Sequence, residues 1–529
     1  MVKRIQTIIA MIFTLFILVA CSTTTEKSEL KKDELVYATV KDINDMNPHL
    51  YPGSMSAQGM VYESLVENTE DGIKPLLAES WDISKDGTIY TFHLRKDVVF
   101  HDGEPFNADA VKQNIEAVQR NKEKHAWIKL STKILNVEAV DEWTVRLTLS
   151  EAYYPTLVEL SMTRPYVFLS PKDFKNGETK DGVQGFHGTG PYQLMEHKVD
   201  QYAVFEANEK YWAGSPKLKK ITAKVLPAGE TTLLALQKGE VNFAFTDDRG
   251  ADSIHIEGMN KLVQTGDYQL VRSKQMNTKM IVANSSKMDN PVSDKSVREA
   301  IWYAIDRETI SRDIFEEAET PANSLFSTNI NYAGIPLQQR NYDAVKANDL
   351  LEKAGWTRST EGAVREKNGK KLMIQLFYDS NSSSQKAQGE YMQHALKGIG
   401  IDLELIGEES TSIANRRTTG EYDLLFNQTW GLAYDPQSTV AAFTASYKHA
   451  TQGIANANQF YQKIEDVLVS REEDQRRALY KDILTTVHEE AIFIPLTNGN
   501  VTVVAPKQLQ GISFKQTQYE LPFEQMYFQ

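Results

Sequence analysis

"LAESWDISKDGTIYTFHLRKDVVFHDGEPFNADAVKQNI", residues 77–115, carries both periods of a folded chain in one stretch. Within it, "TIYTFHLR" (88–95) alternates apolar and polar residues, which predicts a strand with one buried face. The segment "NADAVKQNIEAVQRN" (107–121) then changes to the helical period. Asn107 is a fair N-cap, and Ala110, Val111, Ile115 and Val118 form one apolar stripe.

The same alternation extends in both directions. "ELVYATV" (34–40) and "WTVRLTL" (143–149) read as strands. "DKSVREAIWYAID" (294–306) reads as a helix, as does "YDAVKANDLLEKAGW" (342–356), which ends at Gly355, a usual residue past a helix end. "SSQKAQGEYMQHALKGIG" (383–400) runs into strand-like "IDLELIG", and "EEDQRRALYKDILTTVHEEA" (472–491) leads into apolar "IFIPL". Helix and strand alternate throughout, which predicts an α/β fold. At 529 residues the chain exceeds the roughly 250–300 at which one core stops growing, so at least two lobes are expected.

Composition narrows the function. Hydrophobic residues make up 41% and charged residues 24%, which is globular. With 58 basic and 71 acidic residues the formal charge is −13, so nucleic acid is not an expected partner, although a local basic pocket for an anion is compatible. Lys3 and Arg4 precede the apolar run "IIAMIFTLFILVA" (8–20), a signal-peptide pattern too short for the roughly 20 residues of a membrane span. Cys21, the only cysteine, follows "LVA", and the run resembles a bacterial lipobox. That implies cleavage after residue 20, a lipidated Cys21 and a polar tether over 21–34. One thiol excludes internal disulfides and CxxC chemistry.

Catalytic patterns are absent: no G-x-S-x-G, no G-x-x-x-x-G-K-[ST] and no H-E-x-x-H. No two of the ten histidines stand at i, i+3 or i, i+4. These absences give no pointer to an enzyme. "TWGLAYDPQS" (429–438) displays Trp430 and Tyr434 four apart and then interrupts any helix at Asp435-Pro436.

Residues 77–115, with "FHGTGPYQL" (186–194), "ANEKYWAG" (207–214), "VREAIWYAIDRETI" (297–310) and "ANDLLEKAGW" (347–356), resemble the solute-binding proteins for dipeptides, oligopeptides and nickel that feed ABC importers. "MNPHLYPGSMSAQGMVYE" (46–63), "HAWIKL" (125–130), "MTRPYVFLSP" (162–171), "IGEESTSIANRRTTGEYD" (406–423) and "TWGLAYDPQS" are similar to its nickel and cobalt branch. "AFTDDRG" (244–250) and "FNQTWGLAYDPQS" further resemble receptors for staphylopine-like opine metallophores.

The resemblance implies a two-lobed periplasmic-binding-protein fold of the Venus flytrap type, with mixed sheets and two hinge segments. Lobe I spans 35–273 and 499–529, and lobe II spans 274–498. It also implies a monomer, tethered to the extracytoplasmic face of the cell membrane by its lipid alone, that hands its ligand to an ABC permease with ATPase subunits. No intrinsic cofactor is expected. The ligand would be a chelated divalent transition metal: nickel, cobalt or zinc.

Such a chelate presents carboxylate edges, and arginine's planar fork matches a carboxylate where lysine does not. The resemblance points to Arg164 from lobe I and Arg417 from lobe II, with Arg416 as its adjacent alternative. Trp127, Trp430 and Tyr434 would be aromatic walls, and Met55 would pack nearby. Lys124 stands where some nickel members carry an arginine. His449 falls on the loop where nickel members place a metal-ligating histidine. Two alternatives stay open: a nickel–histidine type of chelate with His449 as direct ligand, and an oligopeptide.

Overall fold

A computed structural model of the protein describes residues 32–125, 127–227, 229–246, 256–432 and 435–529. The signal peptide, Cys21, most of the tether, Tyr434 and the "DDRG" of 247–250 lie outside the described residues.

The chain enters through β1 (Glu34–Thr39) and the short helix α1 (Met55–Val61). The stretch that opened the sequence analysis then forms β2 (Ala78–Ile83), β3 (Ile89–Leu94) and α2 (Ala108–Arg120), followed by β4 (Ile134–Asp141) and β5 (Thr144–Leu149). These strands make an antiparallel sheet of order β2-β3-β5-β4. Tyr90, Phe92 and Leu94 alternate into the core, and the four stripe residues of α2 are buried against it. The Asn107 side chain accepts from the Ala110 N–H at 3.0 Å, so an otherwise unpaired first-turn donor is capped.

Three strands follow: β6 (Tyr192–Lys198), β7 (Tyr202–Ala207) and β8 (Lys220–Val225). They build a second sheet, β1-β8-β7-β6, in which β1 and β8 are parallel. "GTGPY" sits here for steric reasons: a Cβ on Gly188 would fall 1.9 Å from the Val61 carbonyl oxygen, so only glycine lets this chain pass the end of α1. Leu509, Leu521, Phe523 and Met526 from the C-terminus pack into the same core as Leu35, Tyr37, Phe205 and Ile221.

The elements that shape the rest of the molecule include β9 (Tyr268–Ala283), α3 (Lys295–Ala304), α4 (Ala344–Lys353), β10 (Met373–Asp379), α5 (Ser383–Gly398), β11 (Asp402–Glu408), α6 (Ser410–Thr419), β12 (Leu424–Gln428), α7 (Gln437–Ala442), α8 (Ala457–Val469), α9 (Glu473–Glu489) and β13 (Phe493–Pro506). They build a third sheet of order β13-β9-β12-β10-β11, extended beyond β13 by residues 244–245. Both neighbours of β10 run parallel to it, so the chain leaves β10 through α5 to one side and returns through α6 to the other. The long pair β9/β13 shifts register between Arg272 and Gln275, again before Asn277, and once more at Lys279/Met280. Such bulges bend and twist a ribbon locally.

The fold is therefore α/β and two-lobed. One expectation is corrected. The Asp435-Pro436 pair does not end a helix; the residues before it leave β12, and Pro436 stands at the N-cap of α7. Proline costs nothing at a helix start because no intrahelical partner awaits its missing N–H.

Candidate functional site

Arg164 lies in an irregular segment anchored by two fully buried neighbours, Tyr166 and Phe168. Its Nη1 donates to the carbonyls of Tyr51 and Gly53, the latter at 2.7 Å. Its guanidinium carbon stands 4.6 Å from the centre of the Tyr51 ring. The side chain is thereby fixed from one edge, and its buried Nε has no protein partner.

Trp127 follows a 3₁₀ turn, Lys122–His125, that is tied to the same loop. The buried His125 places Nε2 2.9 Å from the His49 carbonyl oxygen. Burial holds the His125 imidazole below its ordinary pKa, and the Arg164 charge acts in the same direction. The loop over residues 49–53 thus positions both the arginine and the indole.

From the third sheet, Trp430 leaves β12 and meets Trp127 with ring centroids 6.0 Å apart. Its turn is held by Asp435, whose Oδ2 accepts from the Gly431 N–H at 3.0 Å and whose Oδ1 accepts from the Thr439 hydroxyl. Burial pushes the Asp435 carboxyl up to about 7. Gly431 has φ +96°, and a Cβ there would lie 2.7 Å from Gln518 Oε1 and 3.5 Å from the Met276 carbonyl oxygen.

The two adjacent arginines of α6 diverge, as about 100° per residue requires. Arg416 turns away to a bidentate pair with Glu408, at 2.7 and 2.6 Å, and covers the Phe377 ring at 4.3 Å. Arg417 lies 5.3 Å over the buried Tyr447 ring.

Met55, Lys124, Trp127 and Arg164 from the first third of the chain, and Arg417 and Trp430 from beside the third sheet, line one cavity of about 600 Å³. Sequence reasoning did not single out Tyr51, Lys129 or Tyr519, which also line it, nor the small residues Ser438, Ala441, Ala442, Ala445 and Ser446. Tyr51 had a usable signal: Pro52-Gly53 forces a turn after it and leaves the ring displayed. Tyr519 had none, since only the return of the C-terminus brings it here. In a chain of net charge −13, the described residues of this lining include four cations, Lys124, Lys129, Arg164 and Arg417, and no carboxylate.

His449 stands elsewhere. Its ring packs on Gly420, where a Cβ would meet Nδ1 at 2.6 Å, and its carbonyl accepts from the Ser286 N–H at 3.2 Å. It is not among the residues lining the cavity. Among the described residues, no group of three or more His, Cys, Asp or Glu side chains is arranged to hold a metal ion.

Two lobes closing on a cation-lined, aromatic-walled cavity define a binding protein. The chain belongs to the bacterial extracellular solute-binding proteins of family 5, whose middle region matches residues 72–450. It is 38% identical over 518 residues to the nickel-binding periplasmic protein of Escherichia coli K12, covering 97% of this chain and 98% of that one. The crystal structure of NikA from Brucella suis in complex with Fe(III)-EDTA superposes with a TM-score of 0.91 at 38% identity, over 94% of this chain and all of that one. NikZ from Campylobacter jejuni in complex with Ni(L-His) follows at a TM-score of 0.78 and 25% identity, with 94% and 100% coverage. This protein is accordingly an extracytoplasmic solute-binding protein of an ABC transporter, not an enzyme. Among the described residues no helix is long and apolar enough to cross a membrane.

Proposed function

We propose that the protein captures a metal ion already wrapped in a carboxylate-rich chelator, nickel or cobalt (with zinc as a third candidate) held by a staphylopine-like opine, and delivers it to the permease. The observation that carries this reading is that the described residues lining the 600 Å³ cavity include four cations, two of them arginines far apart in the chain, and no carboxylate. A bare divalent cation would be repelled there, whereas an anionic chelate would be attracted. The indole walls exclude water and so strengthen the arginine–carboxylate attraction. Fe(III)-EDTA in the Brucella relative is a ligand of this chemical class.

In the same reading Arg164 and Arg417 grip the chelate, and Trp127, Trp430 and Tyr434 enclose it. Lys124 adds charge without a fork, Met55 packs beneath, and Arg416 serves α6 through Glu408. The lobes meet at 273/274 and 498/499, within the irregular stretch of β9 and β13, and bending there opens and shuts the cleft. Cys21 is the lipid anchor. Native mass spectrometry of the purified chain tests the reading: a co-purifying metal–chelator mass supports it. A peptide mass with no affinity for metal chelates would remove it.

A further inference from the structure

A second chamber of about 510 Å³ adjoins the first, and Arg417 lines both. It opens at the carboxyl ends of β10 and β11, where the chain departs to opposite sides of β10. In open α/β sheets that crevice is where ligands settle, because two crossovers diverge and leave a gap. The first turns of α5 and α6 both border it through Ser384 and Ser410. Helix α6 has no side-chain cap at its N-terminus, so its leading N–H groups favour an anion.

Two buried atoms in this lining lack partners. Gln388 is 1% exposed; its Nε2 donates to the Ser384 carbonyl at 3.1 Å, and its Oε1 has no donor among the described residues. Arg417 Nε is likewise buried and has no acceptor among the described residues. A buried amide oxygen and a buried guanidinium nitrogen left unpaired each carry a desolvation cost that an occupant would remove. The two needs are opposite: Oε1 calls for an N–H or O–H donor, and Nε calls for an acceptor. Lys41 and Lys279 add positive charge, Lys279 being paired with Glu319, and Asp379 is the carboxylate among the described lining residues.

We propose that this chamber is a second subsite of the cleft that takes an amino-acid-like arm of the bound chelate, one bearing both an N–H donor and a carboxylate. Arg417 is then shared, with one edge toward the metal-wrapping carboxylates and Nε toward the arm. This rests on the metal-chelate reading and specifies it: the chelator is an N–H-bearing opine rather than a compact polycarboxylate.

The test is calorimetric titration of the full chain with Ni(II)–staphylopine, which carries amine N–H groups, and with Fe(III)-EDTA, which has none. Gln388→Leu removes the unpaired oxygen at nearly constant volume. Ala414→Phe fills the chamber from an exposed position of α6. Both variants are expected to lose at least tenfold in affinity for Ni(II)–staphylopine and less than twofold for Fe(III)-EDTA. The thermal midpoint of unliganded Gln388→Leu should stay level or rise. Should Ala414→Phe misfold, Gln388→Leu alone decides. Variants that bind both chelates as the wild type does would show a chamber holding water only and overturn the proposal. An equal loss for both chelates in a folded variant would overturn it too, by showing a general disturbance of Arg417. A wild type that binds neither chelate would sink the metal-chelate reading itself, and this subsite with it.

Discussion

Trp127 and Trp430 touch across the cleft, their ring planes inclined at 58°. The two indoles are about 300 residues apart in the chain, and each is held by its own polar anchor: the His125–His49 link for Trp127 and the Asp435 turn for Trp430. A tilted aromatic pair of this kind contributes about 0.5–1.5 kcal/mol beyond its buried area. A double-mutant cycle on Trp127→Ala and Trp430→Ala, read as chelate affinity, is therefore expected to give a coupling in that range. Strict additivity would mean that the rings act separately on the ligand.

Arg164→Ala should weaken chelate binding by about 2–5 kcal/mol, the scale for stripping one partner from a desolvated charge pair. Arg164→Lys should recover only part of that loss. An ammonium cannot both hold the carbonyls of Tyr51 and Gly53 and offer a second edge to a carboxylate. Isothermal titration of the three proteins with one Ni(II) chelate measures both steps. Unchanged affinity in the alanine variant removes Arg164 from the site.

Asp435 gives the protein a pH dependence of definite sign. Its folded carboxyl is pushed up to about 7 by burial, while an unfolded aspartate titrates near 3.9. Between those values the folded state holds a proton that the unfolded state has lost. The contribution is complete below about pH 4 and is lost as pH rises through 7, with an upper bound of roughly 4 kcal/mol. Asp435→Asn keeps the shape and removes the titration, since its amide can accept from Gly431 and donate to Thr439. Urea unfolding at pH 5 and pH 8 should show a smaller loss for the variant than for the wild type. Glu63 and Glu159, buried and also pushed up to about 7, preserve part of the slope in both proteins. Equal slopes would contradict the assignment.

His449→Ala should leave Ni(II)–staphylopine binding nearly intact, because the ring rests on Gly420 and does not line the cavity. A nickel–histidine complex, whose coordination shell is less complete, is the more sensitive probe. A large loss with both chelates in a folded variant would make His449 a general site residue.

Cys21→Ser should release the protein from membranes into the soluble fraction of cells. Retention at the membrane would point to an anchor other than the acylated sulfur.

Local pattern carried the fold further than the site. Strands at 88–95 and 143–149 and the helix at 107–121 were legible because alternation, stripe and cap agree within a few residues. Arg417 could be set above its neighbour by resemblance, and helix geometry explains their divergence, but that Glu408 would hold Arg416 depends on α6 folding back beside β11. The sheet order around β10, and with it the second chamber, was not legible: which side a crossover takes is decided by packing of the finished sheet. Gln388 illustrates this. In sequence it is one polar residue on an amphipathic helix, and only the assembled lobe leaves its oxygen without a donor.

Gly431 adds something that no ligand contact would reveal. With Gln518 and the Met276 carbonyl pressed against the place where a side chain would begin, that position is a keyway between three distant parts of the chain. A single methyl inserted there would act as a shim, propping the aromatic turn away from the opposite lobe. The grip on cargo could then be loosened from a residue that bears no functional group and never meets what is carried.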